Sequence, residues 1–384
     1  MKLVHLSDTH LGFSAYRALD EERGINQREA DINLAFAQAI EKSLSLKPDV
    51  LLHTGDLFDT VRPNNRTISF CLEQLLRLTQ ANIPVVIIAG NHSSPRMKDT
   101  GSIFRLFELF ENIYPIYQGK YENVSFEDLT IHAVPQCPLQ EDFHQNVRKM
   151  NASVKNFNAP LNVLALHAGV AMPAGRQAEI EKFSMDEFNE QIVPLEALKE
   201  EFDYIGLGHY HQFEKVTENA YYSGSTERLS FNEAGQEKGI VEVDLSSKDQ
   251  KKLKVSFHAL DIREMVDLPD IDAGGLSAEM VMKKIEEALA STDYAKKIVR
   301  LTLNNLSSPA YNSLDFHLLR NLAASALHFE FRYNRLTDET LDTRSGTIGG
   351  LVNEFAEFMA ERDLGKERDE VLKLGINYLE SADS

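Results

Sequence analysis

Five apolar or β-branched runs in this chain each end abruptly in a short polar loop that carries oxygen or imidazole donors. The runs are Leu3-Val4-His5-Leu6, Val50-Leu51-Leu52, Val85-Val86-Ile87-Ile88, Val163-Leu164-Ala165-Leu166 and Tyr204-Ile205-Gly206-Leu207. The loops that follow are Asp8-Thr9-His10, Gly55-Asp56, Gly90-Asn91-His92, His167-Ala168-Gly169 and Gly208-His209-Tyr210-His211. Runs of this kind read as buried strands of a parallel sheet. Their loops then gather at one edge of a sheet, where open α/β folds bind ligands. A chain with this pattern is expected to be an α/β protein whose chemistry lies in those loops.

The donors point to a pair of metal ions. Asp8 and His10 are two apart after a strand, so in extended backbone they share a face and reach one ion. Asp56, on its Gly-Asp turn, is the natural bridge between two ions, and Asn91 offers a neutral oxygen to the second. His167, His209 and His211 complete the set, while His92 points differently and can meet the substrate. A nitrogen and oxygen set without thiolate favours Mn, Fe or Zn over Mg or Ca, and disfavours a structural Zn site. Two divalent ions about 3.5–4 Å apart supply what phosphodiester hydrolysis at neutral pH requires, a strong nucleophile and charge neutralisation. By contrast, His5, His53 and His132 lie inside strands, and His144, His258, His317 and His328 have no partner motif, so all seven read as structural.

Alternating strand and helix signals continue over residues 1–264. Helices are expected over Gln27–Leu46, Asn65–Gln80 and Ile103–Phe110, and a hairpin over Gly239–Leu245 and Leu253–Leu260. Two sheets packed together with helices outside is the natural arrangement. Residues 265–335 read as a small accessory unit, with helix Ala278–Ala290, strand Lys297–Leu303, helix Leu314–Leu327 and strand Phe329–Tyr333. A Thr-, Asp- and Gly-rich linker occupies 336–349, and two amphipathic helices fill 350–384. That hairpin buries too little to be stable alone, so it either folds back on the main domain or docks on another chain.

The chain of 384 residues carries a net charge of −19, which argues against a generally basic nucleic-acid-coating surface and leaves room for a local patch. The two cysteines are too few for a disulfide framework and suit reduced thiols in a cytoplasmic protein. No apolar run approaches a membrane span, and a strand that begins at once leaves no room for a signal peptide.

At Asp8-x-His10, Gly55-Asp56, Gly90-Asn91-His92, His167 and Gly208-His209-x-His211 the chain resembles the calcineurin-like metallophosphoesterases. Asp8-Thr9-His10-Leu11-Gly12, Gly55-Asp56-Leu57-Phe58-Asp59 and His167-Ala168-Gly169-Val170 narrow the resemblance to the SbcD / meiotic recombination eleven nucleases of DNA double-strand-break repair. The resemblance implies a two-sheet sandwich flanked by helices (1–264), a small α/β capping and DNA-recognition domain (265–335), and a C-terminal helical hairpin (350–384). It implies that Asp8, His10, Asp56 and His211 hold one metal, and Asp56, Asn91, His167 and His209 the other. His92 would contact the scissile phosphate, either stabilising the transition state or protonating the leaving oxygen, while a metal-activated hydroxide attacks in line. The activity implied is Mn-dependent exonuclease and endonuclease action on DNA. The implied partners are DNA, a second copy of the chain, and an SbcC-like coiled-coil ABC-type ATPase that takes the hairpin. The implied location is cytoplasmic, on the nucleoid when bound to DNA. Helices 65–80 and 103–110 are the candidates for the dimer contact.

Arg17, Arg23, Arg28, Arg62, Arg66, Arg96, Lys98 and Arg176 follow the metal loops and are candidates to grip phosphates or to pair with local carboxylates. Two positions depart from the family pattern. Asp59 stands where some members have a His with a role in exonuclease action, and Ser93-Ser94 replaces an Asp that commonly follows the active-site His. Two other readings compete: a phosphatase of small molecules or phosphoproteins with the same metals, and a scaffold with a silent site.

Overall fold

The computed structural model describes residues 1–94, 101–154, 159–171, 190–246, 253–335 and 371–374. By compactness the chain divides into one unit of residues 1–269, 283–302 and 315–332, and a second of 270–282, 303–314 and 333–384.

Two six-stranded sheets dominate the first unit. Their strands, in chain order, are β1 (Lys2–Leu6), β2 (Val50–His53), β3 (Val85–Ile88), β4 (Ile113–Ile116), β5 (Glu122–Ser125), β6 (Leu129–Val134), β7 (Leu161–His167), β8 (Tyr204–Gly208), β9 (Glu214–Lys215), β10 (Ala220–Tyr222), β11 (Gly239–Asp244) and β12 (Lys254–Ala259). One sheet runs β12-β11-β1-β2-β3-β4 and the other β9-β10-β8-β7-β6-β5. β1 through β4 pair in parallel, with Val4 opposite Leu51 and Leu52 opposite Val86. β6, β7, β8 and β10 are likewise parallel, with Ala165 opposite Gly206. The expected hairpin is present as the antiparallel pair β11–β12, and its turn residues 247–252 lie outside the described residues.

Burial on both faces explains why the strands read as unbroken apolar runs rather than alternating ones. Leu3, Leu52, Val86 and Ile88 meet Ile131, Val163, Ala165 and Tyr204 in a core between the two sheets. Val4, Leu6, Leu51, Val85 and Ile87 face the other way, onto α1 (Gln27–Leu46) and α2 (Asn65–Gln80) through Phe36, Ile40, Cys71 and Leu75. The second sheet is covered in the same way by α3 (Gln140–Ser153), whose Phe143, Val147 and Met150 pack on Leu164, Leu166 and Leu207. Asn26 and Asn64 cap α1 and α2 with their side chains, which places both helix starts where the sequence puts them.

Three expectations are corrected. Residues Ile103–Leu109 form a 3-10 helix rather than an α-helix, with Phe104 and Phe107 buried. At a 3-10 pitch residues three apart eclipse, and these two rings fall on one side. The helix expected over Leu314–Leu327 is shorter, Phe316–Leu322, and a separate short helix, Ser308–Asn312, precedes the expected span. Ser307 and Asp315 cap the two helix starts, and the second helix closes at Ala323, before the expected end. Lastly, the metal loops follow strands of both sheets rather than one. β1, β2 and β3 bring Asp8, Asp56 and Asn91 from the first sheet, while β7 and β8 bring His167 and His209 from the second.

Of the accessory segment, helix α4 (Ala278–Ala290) and strands Ile298–Leu306 and His328–Arg335 are present. In the first unit Met265–Asp267 pairs in parallel with Ile298–Arg300. In the second, Ile271–Asp272 pairs in parallel with Leu303–Asn304. The expected linker and all but residues 371–374 of the terminal hairpin lie outside the described residues.

Candidate metal centre

The five loops converge on one buried pocket. Asp8, His10 and His211 bring a ligand atom each within 4.8 Å of one another, and Asp8, Asp56 and His167 do the same. Asp8 belongs to both groups, so the two clusters share an edge. The convergence does not arise from extended backbone, as the i, i+2 spacing suggests. Asp8, His10 and Asp56 adopt φ of 52°, 43° and 49°, and His209 has φ 103°. Each chain turns sharply through the left-handed region just past its strand, which aims successive side chains inward. Such backbone costs energy outside glycine and persists where surrounding structure enforces it. Here the enforcement is visible. Asp8 N–H donates to Gly55 O at 3.0 Å and His10 N–H to Asp56 O at 3.0 Å, locking the first loop onto the second.

The glycines make room for the donors. A Cβ on Gly90 would stand 2.3 Å from Asp56 Oδ1, and one on Gly55, at φ 110°, would stand 2.1 Å from His167 Nδ1. Gly90→Ala should therefore push the Asp56 carboxylate out of place and weaken divalent-metal binding about 10–100-fold, the usual penalty for disturbing the groups around a metal ligand. Calorimetric titration with Mn checks this, and native affinity would refute it.

Buried polar contacts orient His167, His209 and His211. His167 donates through Nδ1 to Thr54 O at 2.9 Å, so Nε2 faces Asn91 Oδ1 at 2.8 Å and Asp56 Oδ2 at 3.1 Å. His211 Nδ1 lies 3.1 Å from Glu233 Oε1, and His209 Nε2 lies 3.4 Å from Glu190 Oε1. His209 N–H donates to the Asp8 carboxylate, tying the last loop to the first. His10 is fully buried, and neither of its ring nitrogens makes a hydrogen bond. Burying two such atoms without partners is unfavourable, and a cation within reach removes the penalty.

Electrostatics point the same way. Burial opposes ionisation of Asp56, yet His167, and then His10 and His92, hold its carboxyl well below the usual carboxylate range. Burial likewise opposes charge on His167, but Asp56 and then Asp8 hold it up to about 9. A pocket that attracts a proton so strongly attracts any cation, and a divalent ion answers two carboxylates better than a proton does. The donor set and the orphaned His10 thus fit a pair of divalent metals.

His92 lies at the mouth, about a quarter exposed, with its ring at 4.8 Å from that of His10 and nearly perpendicular to it. Its Nδ1–H donates to Asp59 O at 2.9 Å, and its backbone N–H donates to Asp56 Oδ1 at 3.0 Å. The substitution of Ser93 for the usual Asp therefore leaves His92 oriented, since a backbone carbonyl does the holding. Asp59 also places its carboxylate 3.3 Å from His10 Nδ1.

Three of the histidines read as structural, His5, His53 and His132, are engaged inside the fold. Burial lowers His5 and His53 to about 3, which keeps both neutral. His5 bonds to Tyr204 Oη and Thr54 Oγ1, and His53 to Thr9 Oγ1. His132 sits between Tyr121 Oη and Asn162 Oδ1.

Among the candidate phosphate contacts, Arg17, Arg23, Arg62 and Arg66 are exposed. Arg66 is engaged with Glu29 at 3.0 Å, and Arg23 with Asp20 at 2.8 Å. Arg28 is 1 % exposed and locked between Asp31 and Glu227, which leaves it no access to a ligand. Arg96, Lys98 and Arg176 lie outside the described residues. Sequence reasoning missed Glu190, Glu233 and Lys238. Burial pushes the Glu233 carboxyl up, but Lys238 and then His211 hold it down to about 2. None of the three sits in a recurrent motif, so only their neighbours in space reveal them.

Residues 1–213, more than half of the chain, match the family model of the calcineurin-like phosphoesterases. The chain belongs to that family. This phosphoesterase is also similar to the DNA double-strand break repair protein Mre11 of Methanocaldococcus jannaschii, at 30 % identity over 70 % of this chain and 69 % of that protein. It is similar to the Mre11 protein of Sulfolobus acidocaldarius, at 24 % identity over 100 % of this chain and 96 % of the relative. The SbcD component of the SbcCD nuclease of Staphylococcus epidermidis is 26 % identical over 64 % of this chain and 67 % of its own length. The phosphoesterase thus falls in the SbcD / Mre11 branch of its family, as its loop motifs imply. No helix among the described residues is long and apolar enough to cross a membrane.

Proposed function

We propose that this phosphoesterase is the Mn-dependent nuclease subunit of a DNA double-strand-break repair complex, acting as exonuclease and endonuclease. The observation that carries the reading is the pair of buried donor groups sharing Asp8, with His92 beside them at the mouth. Asp8, His10, Asp56 and His211 would hold one ion, and Asp56, Asn91, His167 and His209 the other. Two divalent ions held there would supply charge neutralisation for the phosphate and an activated water as nucleophile. The protein's own contribution is orientation. Asp56 is fixed by the His92 backbone N–H, and His167 by Thr54 O. His92, with Nδ1–H committed to Asp59 O, presents Nε2 to the phosphate, where as imidazolium it donates a proton to the departing oxygen.

The similarity to Mre11 and SbcD relatives over most of this chain supports DNA as substrate and an SbcC-like ATPase as partner. Their lengths favour the same reading over a small-molecule phosphatase, because residues 265–384 would be surplus to one. Both cysteines are buried and unpaired, which supports a reducing, cytoplasmic setting. Exposed Arg17, Arg23, Arg62 and Arg66 are the described candidates for backbone contacts with DNA.

The purified chain with Mn should degrade linear duplex DNA and open a DNA hairpin. Turnover of p-nitrophenyl phosphate esters alone would instead favour a phosphatase, and bound metal with no turnover a scaffold. Deleting residues 350–384 should abolish co-purification with the ATPase while sparing Mn-dependent cleavage. Undiminished co-purification would remove the partner assignment.

A further inference from the structure

Behind His211 lies an ion pair that the hydrolytic reading leaves unused. Glu233 is 0 % and Lys238 1 % exposed, and Glu233 Oε2 lies 2.6 Å from Lys238 Nζ. Such a pair, taken out of water, contributes little to stability, because apolar residues of the same volume usually serve as well. Its geometry shows a different use. Glu233 Oε1 accepts from His211 Nδ1–H at 3.1 Å and from Leu229 N–H at 3.3 Å. Lys238 Nζ donates to His211 O at 2.7 Å and to Gln236 Oε1 at 2.9 Å. Ser225 N–H donates to the same His211 carbonyl at 3.0 Å. One buried clamp therefore grips His211 by ring and by backbone.

Two of the other imidazoles face carboxylates that are less enclosed. The carboxylates facing His10 and His209 belong to Asp59 and Glu190, whose side chains are 23 % and 34 % exposed. Water screens those contacts, whereas Glu233 acts at full strength. With Nδ1–H committed to Glu233, His211 is fixed in the tautomer whose Nε2 lone pair is turned toward Asp8 and His10.

We infer that Glu233, itself held by Lys238, is a positioning residue that sets the affinity of one cation position, the one served by Asp8, His10 and His211, without acting on the other. The inference rests on the two-metal reading proposed above.

The test uses the full chain, Mn alone as probe, and calorimetric titration. Wild type should bind two ions. Glu233→Asp keeps the charge on the pair but withdraws the carboxylate from Nδ1 by one methylene. The double variant Glu233→Gln, Lys238→Met removes both charges together, so no buried charge is stranded. In each, one binding step should weaken about 10–100-fold while the other stays within about threefold. Long-range proton–nitrogen NMR of His211 should show Nδ1 losing its proton preference in step with the loss. Two steps of native affinity in either folded variant would overturn the inference, as would equal weakening of both. If wild type itself bound no pair of ions, the metal reading would fail rather than the role of Glu233 within it.

Discussion

Asp56→Ala should strip both ions from the protein and abolish phosphodiester cleavage. The two oxygens of Asp56 serve different partners at the centre of the pocket. Oδ2 lies 3.1 Å from His167 Nε2, and Oδ1 accepts the His92 backbone N–H at 3.0 Å. Removing it takes a shared negative charge from a site where burial makes each charge count. The loss of affinity should exceed the roughly 10–100-fold expected for a residue behind a ligand. Thermal unfolding gives the clearest readout. A ligand at 100 times its Kd stabilises the native state by about 2.7 kcal/mol, so wild type should gain several degrees in Tm on adding Mn. Asp56→Ala should gain none. An undiminished Mn-induced rise in this variant would remove Asp56 from the centre.

His92→Ala should separate catalysis from metal binding. The ring stands at the mouth, partly exposed, and its Nδ1–H is spent on Asp59 O. Positioned general acids contribute about 10²–10⁴-fold, so kcat on linear duplex DNA should fall by that factor. The Mn-induced rise in Tm should persist, because Asp8, His10, Asp56 and His167 are untouched. A variant that lost the rise together with the activity would reassign His92 as a ligand. The two substitutions thus form a pair: one removes metal and activity together, the other activity alone.

The parts of the fold legible in the sequence are those with local causes. Helices 27–46, 65–80 and 278–290 occupy the spans their periodicity marks, because side-chain caps and a 3.6-residue repeat act within a few residues. The helix expected over residues 314–327 starts at its Asp315 cap but stops at Leu322, short of the expected end. At Ile103–Leu109 the apolar spacing reads as helical, but burial of Phe104 and Phe107 on one side favours the tighter 3-10 turn.

The five strand-end loops and their donors were determined by sequence alone, because a buried strand and its following turn are adjacent residues. How they meet was decided by tertiary structure. Three loops come from one sheet and two from the other, and only sheet-on-sheet packing brings Asp8 within reach of His209 N–H. Left-handed turns at Asp8, His10 and Asp56, enforced by bonds between loops some fifty residues apart in sequence, aim the donors where extended backbone would not. Asp59 O behind His92, and Glu233 with Lys238 behind His211, belong to the same class. Their roles depend on being buried beside particular rings, and desolvation and proximity are properties of the folded chain.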